Sequence, residues 1–152
     1  MKRPDYEAFF REYASVYMRS LGDSVDAHAT RSFFAEAFLS ASVDGRVAVG
    51  ANDPQFEAAL QAGYAFYKAI GTTSLQIDRI EADVLYENHD RVRVFYVAGY
   101  KKKDGASLSI AFDVLYLVQR RPEGPKIFGF ITGDEMDAFR RHGLVNECGE
   151  PL

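Results

Sequence analysis

The sequence has few of the residues that build disulfide scaffolds, metal sites or membrane spans. Cys148 is the single cysteine among 152 residues, which excludes an intrachain disulfide and a cysteine-ligated zinc site. The three histidines are scattered without the spacing of metal ligands, so we predict no metal and no cofactor. No apolar run approaches the roughly 18 residues that a membrane-spanning helix needs, so no membrane contact is predicted.

Charge does not favour a nucleic-acid partner. Lysine and arginine number 18 and aspartate and glutamate 22, which gives a net charge of −4. Residues 1–76 and residues 77–152 each carry a net charge of −2, so neither half forms a basic lobe for a phosphate backbone. The N-terminus turns acidic by Asp5 without the apolar core of a signal peptide, so a cytoplasmic protein is predicted.

The length and composition predict one globular domain over residues 1–152. Hydrophobic residues make up 47% of the chain and charged residues 26%, which are ordinary globular values. We place its core at about residues 5–133, followed by a short C-terminal helix and tail at residues 134–152. Aromatic residues reach 14%, with 9 tyrosines and 12 phenylalanines. So many rings predict a ring-lined cavity or a large aromatic interface, although a core built from phenylalanine explains them equally well.

Hydrophobic periodicity predicts helices first and a sheet afterwards. Apolar residues recur mostly at steps of three and four early in the chain, and from Ser74 onward they alternate with polar residues. A phase slip at Arg79-Ile80 predicts a bulge that bends the first long strand. Asp53-Pro54 is a typical helix start. The predicted elements are helices at residues 5–21, 23–30, 54–70 and 135–142, a strand or bent segment at residues 32–42, and strands at residues 46–50, 74–87, 91–102, 107–119 and 126–132.

The dipeptide Asp104-Gly105 predicts a two-residue hairpin turn, which pairs Lys103 with Ala106. In that register both faces of the strand pair are largely apolar, so both faces need a cover. The helices cover one face, and nothing is left in the chain for the other. We therefore predict a homodimer formed sheet to sheet. Its predicted interface residues are Phe95, Ile110, Phe112, Val114 and Tyr116.

Asp113 is the one charged residue in the apolar run of residues 110–118. In the predicted register it faces the helices, opposite Tyr96. A carboxylate there loses hydration, so its pKa is expected to rise unless a cation or several donors stabilise it. As a functional residue Asp113 is a catalytic general acid or base, or a neutral acid that donates a hydrogen bond to ligand oxygen. As a structural residue it bonds to a buried tyrosine or a backbone amide.

Tyrosines on the predicted helices and strands suit the lining of such a pocket, because tyrosine offers a ring and a hydrogen-bond donor together. Plain core packing, with the hydroxyls bonded to the backbone, is the alternative for each of them. The predicted ligand is an apolar small molecule. The predicted pocket residues are Tyr13, Tyr17, Phe34, Phe38, Tyr64, Tyr67, Tyr96 and Asp113.

The order of the elements resembles the nuclear transport factor 2-like superfamily, which includes the steroid isomerases, the SnoaL-like polyketide cyclases and scytalone dehydratase. The resemblance covers about residues 5–133 and rests on the element order, the Gly22-Asp23 joint after the first helix and the sheet pattern. It implies an α+β cone in which helices pack on a curved antiparallel sheet. It also implies a pocket between the helices and the concave sheet face, and a dimer through the sheet.

Only part of the steroid-isomerase site has a counterpart in this sequence. The residues around Asp113 are similar to the small–apolar–Asp pattern of the isomerases' hydrogen-bonding aspartate, and Tyr13 and Tyr17 are candidates for their oxyanion tyrosine. The positions that match the catalytic base lie near Ala41 and Ser42, which cannot serve as a base. The resemblance therefore implies a related pocket more strongly than it implies isomerase activity.

Two functions of different classes are consistent with the sequence. The first is a small-molecule-binding protein with an aromatic pocket, whose enzymatic form is cofactor-free isomerase, dehydratase or cyclase chemistry on an apolar oxygenated ligand. The second is a non-catalytic dimeric module that binds a protein partner. The missing base favours the absence of catalysis, whereas Asp113 and the number of rings favour a pocket. The sequence leaves enzymatic activity open.

Overall fold

Four helices accompany a six-stranded sheet in the computed structural model, which describes residues 1–152. The helices are α1 (Tyr6–Ser20), α2 (Ala27–Ser32), α3 (Pro54–Ala69) and α4 (Glu135–Arg141). The strands are β1 (Phe34–Ser42), β2 (Val47–Ala51), β3 (Thr72–Tyr86), β4 (His89–Lys101), β5 (Ser107–Gln119) and β6 (Lys126–Thr132). The α+β class predicted from the sequence is confirmed. No helix is both long and apolar enough to cross a membrane.

An aspartate precedes every helix and caps it. The carboxylate of Asp5 accepts a hydrogen bond from an amide in the first turn of α1, and Asp26, Asp53 and Asp134 do the same for the other helices. The second helix starts after Asp26 and not at Asp23 as predicted, because the Asp26 side chain receives the first-turn amide.

The strand order in the sheet is β2-β1-β6-β5-β4-β3. β1 runs parallel to β6, and every other neighbouring pair is antiparallel. The register of β3 against β4 shifts between Ile77 and Arg79, which confirms the predicted bulge. The bulge bends β3, the strand against which α1 packs. The sheet therefore curves around the helix layer.

The turn between β4 and β5 differs from the prediction by one residue. Lys102 and Ala106 flank a three-residue loop, and the Lys102 amide donates to the Ala106 carbonyl oxygen at 2.8 Å. Gly105 takes a φ of 90°, the left-handed conformation that closes a three-residue hairpin loop. Phe95 consequently pairs with Asp113, whereas the predicted two-residue turn paired Tyr96 with it.

The one-residue shift exchanges the two faces of β5, because side chains alternate along a strand. We call the helix-covered side the inner face and the opposite side the outer face. Ile110, Val114 and Tyr116 lie on the inner face and are only 4–7% exposed, so their assignment to a sheet-to-sheet interface is wrong. Phe112 also points inward. Of the predicted interface residues, Phe95 alone faces outward.

The centre of the core lies between α1 and the inner face. Phe10 and Val16 of α1 are at most 2% exposed, and they belong to one cluster with the fully buried Val92, Val94 and Ile127 of the sheet. Burial of such side chains is worth about 1.5–3 kcal/mol each. The core thus fixes α1 against the sheet and, with it, the tyrosines on the same helix.

Candidate functional site

Asp113 lies on the outer face and not in the predicted pocket. Its carboxylate accepts a hydrogen bond from Nε of Arg93 at 2.8 Å, and the two side chains are 41% and 49% exposed. The carboxylate is therefore hydrated and paired with a cation, so the predicted placement of Asp113 against the helices is wrong. The physical reason is the one-residue shift of β5 against β4.

Three of the predicted pocket tyrosines, one on α1 and two on α3, meet through their rings. The ring of Tyr17 is 5.3 Å from that of Tyr64 and 5.6 Å from that of Tyr67, measured between centroids. Tyr64 and Tyr67 are 5.9 Å apart and nearly perpendicular. These are favourable tilted and edge-to-face contacts between aromatic rings. The two helices therefore bring together tyrosines that are distant in the sequence.

A second group of tyrosines joins α1 to the sheet. The ring of Tyr13 lies 6.2 Å from that of Tyr116 on β5. The hydroxyl of Tyr116 shares a 2.8 Å hydrogen bond with the hydroxyl of Tyr96 on β4. Tyr13, Tyr96 and Tyr116 thus form a continuous polar and aromatic wall beneath the helices. Tyr116, predicted at the dimer interface, belongs to this wall.

Phe34 and Phe38 fill space and do not project a polar group. Their ring centroids are 5.0 Å apart, and Phe56 of α3 lies 5.2 Å from Phe34 and 4.9 Å from Phe38. Phe130 of β6 completes this cluster. Both predicted residues are buried. They form an apolar side wall for the neighbouring tyrosines.

Several tyrosine hydroxyls have no partner within hydrogen-bond distance in the protein. Tyr13, Tyr17 and Tyr100 make no hydrogen bond, and the hydroxyl of Tyr67 lies beside the carboxylate of Glu135. The one side-chain oxygen that is both unpaired and closed to water is Oγ1 of Thr72. The hydroxyl oxygens of Tyr13, Tyr17 and Tyr100 therefore keep some accessible area although their rings are packed in the interior. We call the space that they border the tyrosine recess.

Phe112 shows where the tyrosine recess opens. Its side chain points to the inner face and stacks on Tyr96, with 5.3 Å between the ring centroids. The residue is nevertheless 38% exposed. An inward-facing ring with that exposure borders open space on the helix side of the sheet.

Burial keeps the tyrosines of the recess in their neutral form. Desolvation raises the pKa of Tyr13 and Tyr67 well above the usual range, and neighbouring phenols and a carboxylate raise it further. Burial also raises the pKa of Tyr64 to about 12. Each hydroxyl therefore keeps its proton at physiological pH and can donate a hydrogen bond to an oxygen atom of a ligand.

The carboxylate beside the tyrosine recess is Glu135, which the sequence did not single out. Phe139, one turn further along α4, contacts Phe66 of α3 and Tyr100 of β4, each with 6.0 Å between centroids. Residues four apart share a helix face, so Glu135 points to the same side. The surrounding protein raises the pKa of Glu135 by desolvation, and the nearby hydroxyl of Tyr67 opposes that rise. Yet Glu135 is exposed, so it lies at the rim of the recess.

Two depressions on the outside of the molecule are separate from the tyrosine recess. One, of about 390 Å³, lies on the outer face and includes Asp113. The other, of about 520 Å³, lies beside α2 and includes Arg31 and Arg121. Arg31 is paired with Glu57 and Arg121 with Glu36, each at 2.6 Å. Neither arginine is free for an anionic ligand. No three His, Cys, Asp or Glu side chains gather to form a metal site.

The curved sheet and the helices packed on it define an α+β cone of the nuclear transport factor 2-like class. The chain belongs to the family described as NTF2-like protein (DUF6841), whose model matches residues 4–135. The resemblance stated from the sequence is thereby confirmed. No curated protein matches the chain.

Solved bacterial structures share the fold at low sequence identity. Aln2 from a Streptomyces species is 14% identical with a TM-score of 0.63, over 93% of this chain and 99% of that chain. An NTF2-like protein with a cystatin-like fold from Novosphingobium aromaticivorans is 21% identical with a TM-score of 0.58, over 90% and 94%. A ketosteroid isomerase-like protein from Erwinia carotovora atroseptica is 16% identical with a TM-score of 0.55, over 84% and 91%. These similarities establish the fold. Any activity has to be argued from the residues of the candidate site.

Proposed function

We propose that the protein binds an apolar, oxygen-bearing small molecule in the tyrosine recess. The observation that carries the proposal is the set of unpaired hydroxyls of Tyr13, Tyr17 and Tyr100 among packed rings. Apolar walls with a few convergent polar groups are the usual make-up of a ligand site. A ligand with a ring system and one or two oxygen atoms meets both requirements.

Cofactor-free chemistry on such a ligand is the enzymatic form of this proposal. Neutral hydroxyls that donate to one ligand oxygen stabilise negative charge that develops on it. The similarity of the fold to a ketosteroid isomerase-like protein supports the proposal of cofactor-free catalysis. Asp113 takes no part in it, because the carboxylate is on the other side of the sheet.

The test is a thermal-shift and fluorescence titration with 2-naphthol and 1-tetralone. A ligand at 100 times its dissociation constant stabilises the fold by about 2.7 kcal/mol, which raises Tm by roughly 5–10 °C in a chain of this size. Tyr13→Phe removes one donor and should weaken binding roughly 2- to 10-fold. Tyr86→Phe is the matched control, because Tyr86 is 76% exposed and far from the recess.

Absence of binding to an extended panel of aromatic alcohols and ketones would refute the ligand-binding proposal. The second hypothesis, a non-catalytic dimeric interaction module, would then be favoured. The close packing of Tyr17, Tyr64 and Tyr67 against one another supports that alternative, since a cone filled by its own rings needs no ligand.

We further propose that the protein is a homodimer through the outer face of the sheet, with a corrected set of residues. Leu39 and Ile131 are 41% and 40% exposed there, in the same face as Phe95. The face also carries cations and carboxylates in pairs, such as Arg93 with Asp113. A two-fold interface needs such a self-complementary surface, which favours a second copy of the chain as the cover.

Ile131→Lys tests the dimer with little effect on the monomer fold. The charge is placed in the centre of the proposed contact, so the assembly should fall from twice 17.0 kDa to 17.0 kDa in sedimentation equilibrium. Val84→Lys is the control, because Val84 is 60% exposed but lies near the end of β3, outside the contact. A wild-type protein that is monomeric at micromolar concentration would refute the dimer.

A further inference from the structure

The two edge strands of the sheet differ in how they are protected. β3 has a bulge and carries charged residues such as Arg79, Glu81 and Asp83. Bulges and charges are devices by which natural edge strands avoid pairing with another chain. β2, at the other edge, has the sequence VAVGA, with no charge, no proline and no shift in its register against β1. Since Val47 and Val49 are 68% and 81% exposed, β2 is an open, apolar edge.

The hydrogen bonds at both ends of β2 show which of its backbone groups are free. In an antiparallel pair, only every second residue of a strand directs its N–H and C=O toward a given neighbour. The Asn52 amide donates to the Glu36 carbonyl oxygen at 2.9 Å, and the Ser42 amide donates to the Arg46 carbonyl oxygen at 3.0 Å. The even-numbered residues of β2 therefore face β1, and the odd-numbered residues direct their backbone groups away from the sheet.

No segment of residues 1–152 pairs with this free side of β2. The amides of Val47, Val49 and Ala51 therefore have no acceptor within the sheet. The carbonyl oxygens of the two valines are equally free, and that of Ala51 accepts from the Asp53 amide at 3.0 Å and keeps a second lone pair. The free side thus presents donors and acceptors with the spacing of a β-ladder.

We propose that β2 is a self-association surface, at which the strand pairs antiparallel with β2 of a second copy about a two-fold axis centred on Val49. In this register Val49 lies opposite Val49 of the second copy, and Val47 lies opposite Ala51. Each copy then donates its three free amides to carbonyl oxygens of the other. The sheet continues from one molecule into the next, through a contact separate from the outer-face dimer.

The edge is complementary to itself over its whole length in this register alone. A register centred on Val47 would set Val49 against Gly45, which lies in the β1–β2 turn with a φ of 97°. A register centred on Ala51 would set Val49 against Asp53, which caps α3. Both alternatives leave free amides without an acceptor, so the register centred on Val49 is favoured.

The charges at the ends of β2 also favour a second copy as the occupant. In the register centred on Val49, Arg46 of each copy lies opposite Asn52 of the other and next to Asp53. The Arg46 side chain is 73% exposed and uses Nε for Asp44, so its other N–H groups remain available. Opposite charges therefore meet at both ends of the paired strands, and β2 itself brings no like charges together.

The experiment uses Ile131→Lys, which removes the proposed outer-face contact and leaves β2 unchanged. A pair of five-residue strands buries much less than the roughly 1,200–2,000 Å² of a stable interface, so the association should be weak. Sedimentation equilibrium should show 17.0 kDa at micromolar concentration and a rise toward twice that mass at concentrations on the order of hundreds of micromolar.

Amide NMR spectra of the same protein identify the surface that associates. The amide protons of Val47, Val49 and Ala51 should shift as the concentration rises, because they gain hydrogen bonds to the second copy. Those of Ala48 and Gly50 should stay nearly constant, since these amides already face β1. Side-chain contact alone would not produce this alternation along the strand.

Val49→Pro removes a donor that points to the free side and leaves the bonds to β1 intact, so the monomer should still fold. It should weaken the association about tenfold or more. Val49→Thr is the matched control, because it keeps the amide and the β-branched shape and should change the dissociation constant less than about threefold. Both substitutions are made in the Ile131→Lys protein.

An Ile131→Lys protein that stays at 17.0 kDa up to about 1 mM would overturn the β2 contact. Equal shifts of odd and even amides would overturn it as well, because another surface would then carry the association. This pattern is measured without a change in β2, so it tests the pairing even where Val49→Pro disturbs the strand. An association that a folded Val49→Pro variant leaves unchanged would also refute the pairing.

Discussion

Replacing Arg120 by methionine removes the bidentate partner of a fully buried carboxylate. Asp90, at the start of β4, is 0% exposed and accepts bonds of 2.8 Å and 2.7 Å from the Arg120 guanidinium. It also accepts a bond of 2.5 Å from the hydroxyl of Tyr6 on α1. Methionine keeps much of the apolar stem of the arginine, so the change mainly removes the charge.

The expected loss is about 3–5 kcal/mol of unfolding free energy. Removing one partner of a buried ion pair leaves an uncompensated buried charge, and that penalty exceeds the net worth of the pair. For a chain of this size the loss corresponds to a fall in Tm of about 10 °C. The matched control is Arg121→Met, because the partner of Arg121 is Glu36, whose side chain is 81% exposed. Exposed pairs contribute about 0–1 kcal/mol.

The difference in unfolding free energy between wild type and Arg120→Met should become smaller as the pH falls. Burial raises the pKa of Asp90, but the bonds from Arg120 and Tyr6 outweigh it and hold the pKa below the ordinary value of 3.8. A carboxylate whose pKa is lower in the folded than in the unfolded state stabilises the fold at pH values above its unfolded-state pKa. This contribution is lost as the pH falls through its folded-state pKa. The two proteins should therefore become more alike in stability below about pH 4.

Urea unfolding at pH 7 and at pH 3, followed by circular dichroism, measures both expectations. A loss below about 1 kcal/mol for Arg120→Met at pH 7 would refute the reasoning, because it would place the pair in the class of exposed ion pairs. An equal loss for Arg121→Met would refute it as well. Arg120 would then contribute no more than its neighbour with an exposed partner.

Three further substitutions test the backbone and the outer face. Gly71→Ala should lower the free energy of unfolding in urea by well above 2 kcal/mol, because φ is 88° and a Cβ would collide with the carbonyl oxygen of Lys101. Gly105 has a similar φ of 90° but free space around it. Gly105→Ala should therefore cost only about 1–2 kcal/mol. Asp113→Asn removes an exposed pair with Arg93, so stability should change by less than about 1 kcal/mol and 2-naphthol affinity should not change. A shift in affinity would return Asp113 to the site.

Most of the helices and strands could be predicted, because residues within or next to each of them specify where it begins or bends. Asp53 followed by proline fixes the start of α3, and the change of hydrophobic phase at Arg79 marks the bulge. The start of α2 was missed, since Asp23 and Asp26 are both good caps and only their surroundings choose between them.

The proximity of the tyrosines could also be predicted in part, because helical spacing places them. Tyr13 and Tyr17 are four residues apart, and Tyr64 and Tyr67 three apart, so each pair shares a helix face. Glu135 was missed for a different reason. An acid in the first turn after the capping Asp134 is explained by the helix dipole alone, and its spacing from the buried Phe139 shows only that the two residues share a side of α4.

The register of β5 could not be derived from alternation, because both faces of the strand pair are apolar. Asp-Gly suits a two-residue turn and also a three-residue loop that ends in a left-handed glycine. The carboxylate of Asp104 accepts a hydrogen bond from the amide of Ala106 at 2.9 Å, inside the longer loop. This local turn decides which side of the sheet Asp113 occupies, further along the strand. In a strand pair whose two faces are both largely apolar, the loop and not the strand pattern therefore determines which face of the sheet carries the carboxylate of Asp113.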